Sequence, residues 1–343
     1  MNIEALTPKN EEEWNDFCLN CSEAWFRHTT WWQKYILCCR EDSDSENLSF
    51  IIRQDGKIIA IVPLISQYIY TDHENHEFAN YDTPCPTIAI KDGISYKQRC
   101  EVLDFAFEYI EELAEQTSVS LGKFFIDPLI DASPYEHFDD FDLLKYEYYP
   151  SVKTTSIIDL TVGSKKVLQQ MRKGHKAAVK AAYRDGGFRV DIFDKSNSAD
   201  FQSSMGIMQN VHFIDAGRKT RSDQSWLVTY EWIKAGYSFL VMIFDENLNE
   251  YIAGAWFMTY KQKAYYGSYA TIDTSLLQGR VGYAVQWAAI KYLIEHEYRN
   301  YETGWNFYSS YKGEVDDKVL MISRFKHGFG GKKYPLFSFE KRY

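Results

Sequence analysis

A row of basic side chains on one predicted helix is the first feature of the sequence that could do chemistry. The helix is predicted over residues 164–184, and Arg172, Lys176, Lys180 and Arg184 follow one another at intervals of four. That spacing places them along one face of the helix. Because like charges at this spacing repel and destabilise a helix slightly, the row indicates either an anionic partner or a basic face exposed to solvent.

A glycine-containing segment at the start of another predicted helix could also bind an anion. It reads Gly279-x-x-Gly282-x-Ala284, with Gln278 before it and Arg280 within it. Backbone N–H groups in the first turn of a helix bind phosphate readily, and glycine allows a ligand to approach the backbone closely. The segment therefore predicts a phosphate site, with an ordinary helix start as the alternative.

Further polar side chains occur in a loop and in a strand of the second half. Arg218 and Arg221 lie in the loop, where guanidinium groups could clamp a phosphate or a carboxylate. Tyr265, Tyr266 and Ser268 lie on the strand, in which successive side chains point to opposite faces. Either Tyr266 and Ser268, or Tyr265 alone, are therefore expected to face an acceptor ligand.

The sequence offers no motif for a covalent mechanism or for a metal site. It has no Gly-x-Ser-x-Gly segment, so no serine nucleophile is predicted. Cys18 and Cys21 are followed by the adjacent pair Cys38 and Cys39, and adjacent side chains point apart, which does not suit zinc. We expect free, mostly buried thiols and no metal ion.

The composition is that of a globular protein with about two domains, at roughly 150 residues for each domain. The chain has 343 residues, of which 45% are hydrophobic, enough to build cores. Its formal net charge of -10 argues against a surface that binds nucleic acid everywhere, but it permits a local basic groove. We find neither a signal-peptide pattern nor an apolar run of about 18 residues, so we expect no membrane span and a cytoplasmic location.

Strands and helices follow one another in the same order in both halves. Each half has two strands around a turn, further extended chain, a long helix and another strand. The predicted elements are a hairpin at 49–65, a helix at 97–116 and a strand at 122–127, then strands at 238–244, 251–259 and 264–270, a helix at 281–297 and a strand at 300–303. This alternation predicts an α/β (α+β) class with mixed sheets covered by helices.

Five segments together resemble the Fem-like acyltransferase branch of the GNAT superfamily. They are residues 170–187, 265–270, 279–290, 301–304 and 324–331. The last segment is the most specific, because it contains Phe325-Lys326 and Phe329-Gly330 at the family spacing. The chain lacks the long coiled-coil arm of the larger Fem proteins, so it resembles the compact members.

The resemblance implies a domain plan of two GNAT-like domains in tandem, each a mixed sheet flanked by helices. The first would cover residues 1–150 and be completed by 332–343, since the last strand of the family often returns to the first domain. The second would cover residues 151–331. We expect the boundary near 149–153, just after an acidic and aromatic stretch.

The resemblance also implies roles for individual residues. Lys326 matches the family lysine that stabilises the oxyanion, and Asp82 matches an acid that accepts the proton of the amine or orients the amine. An Asp before Thr-Pro also forms turns, and a lysine beside glycines can be a surface residue. Trp31, Lys34 and Tyr81 fall where family members shape the acceptor pocket. Such groups suit acyl transfer, because the amine must lose a proton and the carbonyl oxygen needs donors.

The expected function is transfer of an acyl group to an amine by direct attack. In the first hypothesis, residues 278–284 bind an acyl-CoA donor, as a similar GNAT loop holds the pyrophosphate of CoA. The acceptor is then a small amino sugar, nucleotide sugar or amino acid derivative. In the second, Arg172, Lys176 and Lys180 bind aminoacyl-tRNA for transfer to a cell-wall or peptide precursor. Either donor is a co-substrate, not a bound cofactor, and a non-catalytic GNAT-like binding protein is the third hypothesis.

Overall fold

The chain forms two compact units. A computed structural model describes residues 1–41, 43–69, 75–81, 83–132, 142–197, 201–272, 279–309 and 316–343. The first unit comprises Met1–Val152 together with Leu336–Tyr343, and the second comprises Lys153–Pro335. Two predicted site residues, Asp82 and Gln278, lie outside the described residues.

Helices and strands alternate along the described chain. The α-helices are α1 (Glu11–Asn20), α2 (Thr30–Cys39), α3 (Tyr96–Thr117), α4 (Ser164–Gln170), α5 (Lys173–Asp185), α6 (Phe201–Ala216), α7 (Asp223–Lys234), α8 (Val281–Glu295) and α9 (Asp317–Gly328). The strands are β1 (Asn2–Ala5), β2 (Ser43–Asn47), β3 (Phe50–Gln54), β4 (Lys57–Val62), β5 (Ile65–Ile69), β6 (Asn75–Phe78), β7 (Cys85–Pro86), β8 (Ala89–Ile90), β9 (Leu121–Phe125), β10 (Tyr149–Asp159), β11 (Phe188–Phe193), β12 (Ser238–Asp245), β13 (Glu250–Tyr260), β14 (Lys263–Thr271), β15 (Asn300–Asn306) and β16 (Lys332–Arg342). Short 3-10 helices lie at Phe26–His28 and Asp142–Tyr146.

Two sets of paired strands form the sheets of the first unit. One has the order β1-β3-β4-β8, and the other has the order β16-β9-β6-β5-β2, with β7 also paired to β9. The predicted hairpin at 49–65 is confirmed, because β3 and β4 are antiparallel neighbours joined by Asp55 and Gly56. The φ angles of these two residues are 51° and 75°. Two successive positive φ angles are what a tight hairpin turn requires.

Helix α3 confirms the helix predicted at 97–116 and covers the core of the first unit. It begins after Ser95, whose hydroxyl accepts a hydrogen bond from the backbone N–H of Gln98, a common way to satisfy the first turn. Its buried side chains, which include Val102, Ala106 and Ile110, recur at helical spacing. Of the helices in the described ranges, none is both long and apolar enough to cross a bilayer.

The second unit is a mixed sheet with helices on both faces. Its strand order is β11-β12-β13-β14-β15-β10, in which β14 and β15 are parallel and the other neighbours are antiparallel. Helices α4, α5 and α8 pack on the face that carries Phe239 and Val241. Helix α6 packs on the opposite face, where a Cβ added to Gly254 would lie 2.6 Å from the Met208 sulfur. This architecture confirms the predicted fold class.

The basic segment forms two helices, so the single helix predicted over 164–184 is wrong. Helix α4 ends at Gln170, α5 begins at Lys173, and Met171 and Arg172 between them have extended ψ angles of 151° and 147°. The break has a tertiary cause. The Met171 side chain is buried in the core, and the backbone N–H of Arg172 donates to the carbonyl oxygen of Gly328 at 3.0 Å. Arg172 therefore precedes α5 and does not belong to a continuous helical row.

A β-bulge interrupts the alternation of side chains on β14. The ladder pairs Trp256 with Ser268 and then Phe257 with Tyr266, so Gly267 is an extra residue. A Cβ added to Gly267 would lie 2.6 Å from the Trp256 ring. The ring leaves no room for a side chain at this position, which explains why the bulge contains glycine.

The bulge changes which side chains of β14 share a face. Tyr266 packs in the core beneath α8, beside Phe257. Ser268 contacts Arg221 in the loop between α6 and α7, on the opposite face. Tyr265 pairs with Met258 on that same opposite face. The expectation that Tyr266 and Ser268 point the same way is therefore wrong, because strict alternation fails at a bulge.

Candidate active site

Lys326 lies near the end of α9, which packs against β15. A Cβ added to Gly304 of β15 would lie 3.0 Å from the Lys326 Nζ and 3.7 Å from the Tyr265 hydroxyl oxygen. Gly304 has a φ of +89°, a backbone conformation that residues other than glycine rarely adopt. The absence of a side chain at Gly304 thus makes room for the Lys326 ammonium beside Tyr265.

The charge of Lys326 is only partly compensated. Burial lowers the pKa of the Lys326 ammonium, and the nearby Glu302 carboxylate acts in the opposite direction. Glu302 is fully buried on β15, and its Oε1 accepts a hydrogen bond from the Thr155 hydroxyl at 2.7 Å. Across the residues that the structure describes, the Lys326 ammonium makes neither a hydrogen bond nor an ion pair, and its Nζ lies 5.7 Å from the centroid of the Tyr266 ring. A buried cation in this state is suited to stabilise a developing negative charge.

The two strands beside Lys326 diverge at this point. The parallel ladder between β14 and β15 pairs Lys263 with Asn300 and ends where Tyr265 pairs with Glu302. Strand β14 continues to Thr271 on its other partner, β13. Backbone groups of β14 beyond Tyr265 are therefore not used by β15, and such an unpaired edge can pair with an extended ligand.

A cavity of about 340 Å³ lies between α6 and α7. Its lining includes Gln209, His212, Arg218, Lys219, Arg221, Asp223 and Trp226. The Arg221 Nη2 donates to the Ser268 hydroxyl at 3.1 Å, which links the cavity to β14. The Arg221 guanidinium lies over the Trp226 ring at 4.3 Å and over the Trp256 ring at 5.7 Å. The predicted pair Arg218 and Arg221 thus lines one cavity, and Arg221 also contacts Ser268, another predicted residue.

His212 is neutral at neutral pH and helps to orient Arg221. Burial, aided by the charge of Arg221, lowers the pKa of His212 to about 4. The His212 Nε2 lies 3.2 Å from the Arg221 Nη2, and the His212 Nδ1 lies 3.3 Å from the Thr220 hydroxyl. Because a guanidinium can only donate, Nε2 must accept, which assigns the imidazole proton to Nδ1.

The predicted donor segment forms the start of α8. Gly279 has a φ of +79°, and Arg280 precedes the first helical residue, Val281. The backbone N–H groups of Val281 and Gly282 have no partner among the described residues. Ala284 is fully buried in the core. Two open N–H groups at a helix start are compatible with the predicted phosphate site.

Contacts within the protein account for two residues of this segment without a ligand. A Cβ added to Gly282 would lie 3.2 Å from the Phe325 ring, so this glycine also permits helix packing. Arg280 forms an ion pair of 2.7 Å with Asp185, at the end of α5. The structure therefore brings the start of α8 next to the basic helix, while the Arg280 side chain is occupied by Asp185.

The basic residues of the predicted donor site differ in exposure. Arg172 and Lys180 are exposed. Lys176 is half-buried, and its Nζ donates to the carbonyl oxygen of Gln169 at 3.0 Å. Arg184, at the end of the same row, pairs with Asp185 at 2.8 Å. Only part of the predicted row is therefore available to an anionic ligand.

The predicted acceptor residues of the first unit lie in local contacts of that unit. Lys34 is exposed and pairs with Glu11 at 2.5 Å, and its Nζ lies 5.9 Å from the centroid of the Trp31 ring. The Tyr81 hydroxyl accepts a hydrogen bond from Arg40 at 3.2 Å, and the Arg40 guanidinium lies over the Tyr81 ring. These contacts do not test the predicted acceptor role.

The prediction did not include Glu302, Gly304 or His212. Glu302 had a usable signal, because an acid inside a short strand is rarely buried without a partner or a role. The φ of Gly304 and the burial of His212 depend on tertiary packing, which no local pattern reveals. The six cysteines are free thiols, as expected, and the described part of the chain contains no cluster of His, Cys, Asp or Glu that could hold a metal ion.

Sequence comparison gives no relatives for this chain. No family model matches it, and no curated protein matches it. Solved structures, in contrast, are similar over the full length. FemX has 14% sequence identity and a TM-score of 0.66, with 98% of this chain and 97% of FemX covered.

Two further solved structures have the same fold. L-PGS from Bacillus licheniformis has 13% identity and a TM-score of 0.59, with 98% of this chain and 92% of that chain covered. A tandem GNAT protein from the clavulanic acid biosynthesis pathway, solved without AcCoA, has 10% identity and a TM-score of 0.53, with 99% and 98% covered. The chain therefore has the tandem GNAT-type fold found in Fem-like proteins. At these identities the likeness concerns the fold alone.

Proposed function

We propose that this protein is an N-acyltransferase that moves an acyl group from an acyl-CoA donor to the amine of a small acceptor. One observation carries the proposal. The Lys326 ammonium, which has no ion pair in the described chain, lies where β14 and β15 diverge. A cation beside an unpaired strand edge can meet the carbonyl oxygen of a donor that lies along that edge.

The reaction is a direct attack. The amine nitrogen forms a bond to the thioester carbonyl carbon, and the carbonyl oxygen becomes an oxyanion that the Lys326 ammonium stabilises. The carbon–sulfur bond then breaks, the amide remains, and the CoA thiolate leaves. The proton lost by the amine passes to a base and finally to the thiolate; Asp82 is our proposed base. No covalent enzyme intermediate is needed.

The start of α8 is the proposed site for the phosphates of CoA. Its support is that the N–H groups of Val281 and Gly282 have no partner within residues 279–309 or the other described ranges, together with the positive φ of Gly279. The positive end of the helix dipole favours anions at this position. This turn lies close to Lys326, because Phe325, the residue before Lys326, packs against Gly282 and Tyr283.

The test is an assay for free CoA thiol with acetyl-CoA and a panel of small amines. Wild-type protein should release CoA only when an accepted amine is present, and the acylated amine should appear in equal amount. Lys326→Met should bind acetyl-CoA and release almost none. Lys318→Met is the matched control, because Lys318 is an exposed lysine on the same helix. Equal rates for Lys326→Met and wild type would contradict the assigned role of Lys326.

A second candidate function is transfer of an aminoacyl group from tRNA. It is favoured by exposed cations on α4, on α5 and at the break between them, namely Lys165, Lys166, Arg172, Lys173 and Lys180. On a chain of net charge -10, this local cluster of positive charge would attract an anionic partner. Binding to bulk aminoacylated tRNA should then weaken steeply with salt. The double variant Lys165→Gln, Lys166→Gln should weaken the salt dependence of tRNA binding. Salt-dependent tRNA binding that does not require CoA would favour the tRNA donor.

A further inference from the structure

Arg172 and Lys333 are exposed cations beside the end of α9, and neither makes an ion pair within the described ranges. Arg172 lies in the break between α4 and α5, where its backbone N–H donates to the carbonyl oxygen of Gly328 on α9. Lys333 lies at the start of β16, and its Nζ is 4.9 Å from the centroid of the Tyr308 ring. Both charges are therefore open to solvent and to an anion.

His327, in the last turn of α9, is oriented by a chain of hydrogen bonds from the sheet. The Asn306 Nδ2 donates to the Ser156 Oγ at 3.1 Å, and that oxygen lies 3.4 Å from the His327 Nδ1. Asn306 and Ser156 are both buried. Because a buried hydroxyl proton needs an acceptor, and the described residues offer this one no other, the Ser156 hydroxyl donates to Nδ1. The imidazole proton of His327 is therefore on Nε2, which points away from Ser156 and can donate to a ligand.

The surroundings of His327 are electropositive. Burial lowers the pKa of the His327 imidazole, and the charges of Lys333 and Arg172 act in the same direction. The start of α5 adds to this field, because the backbone N–H groups of Lys173 and Gly174 have no partner within residues 142–197 or the other described ranges. A Cβ added to Gly174 would have nothing within 4 Å, so a ligand has room there. A bound anion would be attracted by both cations and would offset their repulsion of a charged imidazole.

We propose that Arg172, His327 and Lys333 form an anion subsite, which binds a carboxylate or a phosphate carried by the amine acceptor. The inference rests on the proposed function and adds the substrate class: the acceptor is an anionic amine. The planar guanidinium of Arg172 can bind either group through paired hydrogen bonds. The Lys333 ammonium supplies a second charge, and the His327 Nε2–H supplies a third donor.

The anion subsite and the proposed site for the CoA phosphates lie on opposite sides of Lys326. The start of α8 lies at β14, since a Cβ added to Gly282 would be 3.5 Å from the Tyr269 hydroxyl oxygen. Lys326 lies against β15, whereas His327 contacts Ser156 on β10. In the sheet of the second unit, β15 separates β14 from β10. The donor would therefore approach Lys326 from the side of β14, and the acceptor from the side of β10.

The displacement across the sheet restricts the acceptor further. Neighbouring strands are about 4.8 Å apart, so a shift of one to two strands separates the anionic group from the reacting amine by on the order of 5–10 Å. An α-amino acid, in which a single carbon joins the two groups, is too short. A short peptide or an amino sugar phosphate has the required length.

Calorimetric titration of the full chain tests the proposal with matched probes. Triglycine is compared with triglycinamide, and glucosamine 6-phosphate with glucosamine, so that the members of each pair differ by the anionic group. Wild type should prefer one or both anionic probes by about ten- to a hundredfold, as expected for hydrogen bonds to a charged group. Preference for triglycine identifies a carboxylate ligand, and preference for glucosamine 6-phosphate identifies a phosphate.

Variants assign that preference to the anion subsite. Arg172→Gln and Lys333→Gln change exposed side chains, and each should reduce the preference by about three- to tenfold. The double variant should abolish it. Lys332→Gln is the matched control, because Lys332 is an exposed lysine one position earlier on β16, and successive side chains of a strand point to opposite faces. Equal binding within each pair, no binding of either anionic probe, an unchanged preference in the double variant, or an equal loss in Lys332→Gln would each overturn the proposal.

Titration with acetyl-CoA shows which substrate the anion subsite serves. The double variant should bind acetyl-CoA as wild type does, because the proposed site for the CoA phosphates lies on the other side of Lys326. A loss of acetyl-CoA affinity in the double variant, with the preference for anionic probes unchanged, would assign the subsite to the donor and overturn its assignment to the acceptor.

The same measurements separate this proposal from the proposed function. Lys326→Met should bind the anionic probes as wild type does, although its acyl transfer is lost. If wild type binds them through Arg172 and Lys333 but never releases CoA from acetyl-CoA with any anionic amine, the anion subsite stands and the acyltransferase function fails. If acyl transfer occurs and neutral amines react as well as anionic ones, the function stands and the anion subsite fails.

Discussion

The Lys326 ammonium lies 3.0 Å from the point that a Cβ on Gly304 would occupy. Gly304 belongs to β15 and Lys326 to α9, and the backbone of Gly304 has the positive φ that glycine accepts most easily. One glycine therefore serves two purposes, a special backbone conformation and space for a cation. The position of the candidate catalytic group depends on this glycine as much as on the lysine itself.

Replacing Gly304 by Ala should lower turnover more than stability alone would explain. The added methyl group strains a positive φ, at a cost of about 1–2 kcal/mol in the free energy of unfolding, and it displaces the Lys326 ammonium. Gly163→Ala is the control, because Gly163 has a φ of +78° and nothing within 4 Å of an added Cβ. Urea denaturation should show similar losses for both variants, and only Gly304→Ala should lose activity. Equal activity of the two variants would refute the displacement.

The alkaline limb of the activity profile should report on Lys326. Since burial lowers the pKa of this ammonium below its ordinary value of 10.5, activity that needs the charged form should fall as pH rises, with a midpoint below 10.5. Glu302 opposes that shift, so Glu302→Gln should move the midpoint to lower pH. Lys326→Met should lower kcat by about 10²–10³ and remove the limb, with little change in donor affinity. A limb that is unchanged in Glu302→Gln would contradict the coupling.

Protonation of His212 should destabilise the protein in mild acid. The unfolded chain binds a proton at this residue near its ordinary pKa of 6.5, whereas the folded chain holds it neutral until about pH 4. The free energy of unfolding should therefore decrease as pH falls from about 6.5 to 4, by roughly 2–3 kcal/mol from this residue. Above that range His212 contributes no pH dependence.

The variant His212→Gln isolates this effect, because an amide oxygen can still accept from Arg221 and does not titrate. Chemical denaturation at a series of pH values should show a shallower loss of stability for the variant than for wild type. His175 and His327, whose pKa values burial also lowers, remain in both proteins and cancel in the comparison. Parallel curves for the two proteins would exclude His212 as the source.

Gly328 should be among the least replaceable glycines of the second unit. A Cβ on Gly328 would lie 2.0 Å from the His175 ring, so Gly328→Ala should destabilise the protein by about 1–3 kcal/mol or prevent folding. Gly174→Ala, on α5, is the opposite case, because nothing lies within 4 Å of the added Cβ. It should raise the free energy of unfolding by about 0.4–1 kcal/mol. Thermal denaturation of both variants tests the contrast, and a destabilised Gly174→Ala would contradict it.

The local elements of this fold follow from local sequence, and their exceptions follow from packing. The hairpin at Asp55-Gly56 and helix α8 were predictable, because turn residues and apolar periodicity identify them. The break at Met171 was not, since the chain leaves the helix to bury that side chain and to bond to Gly328. The bulge at Gly267 was not either, because the Trp256 ring that it accommodates lies on a different strand.

The candidate site also contains residues that the sequence could identify and residues whose role depends on tertiary structure. Residue types alone singled out Arg218 and Arg221, and the structure places both at one cavity. The resemblance singled out Lys326. The roles of its neighbours depend on tertiary structure, namely on the burial of Glu302 and on the positive φ of Gly304. His212 is neutral because a neighbouring cation and the surrounding protein disfavour its charge, and both are tertiary effects.

The return of β16 to the first unit has a consequence for biosynthesis. Its residues Ser338–Arg342 pair with β9, which lies more than two hundred positions earlier in the chain. While the polypeptide emerges from the ribosome, β9 lacks this neighbour until β16 has left the exit tunnel. The second unit is contiguous and can fold first, so the order of folding should be the reverse of the order of synthesis. Before β16 pairs with it, the exposed edge of β9 is where a chaperone would bind the nascent chain or where an incorrect strand would pair.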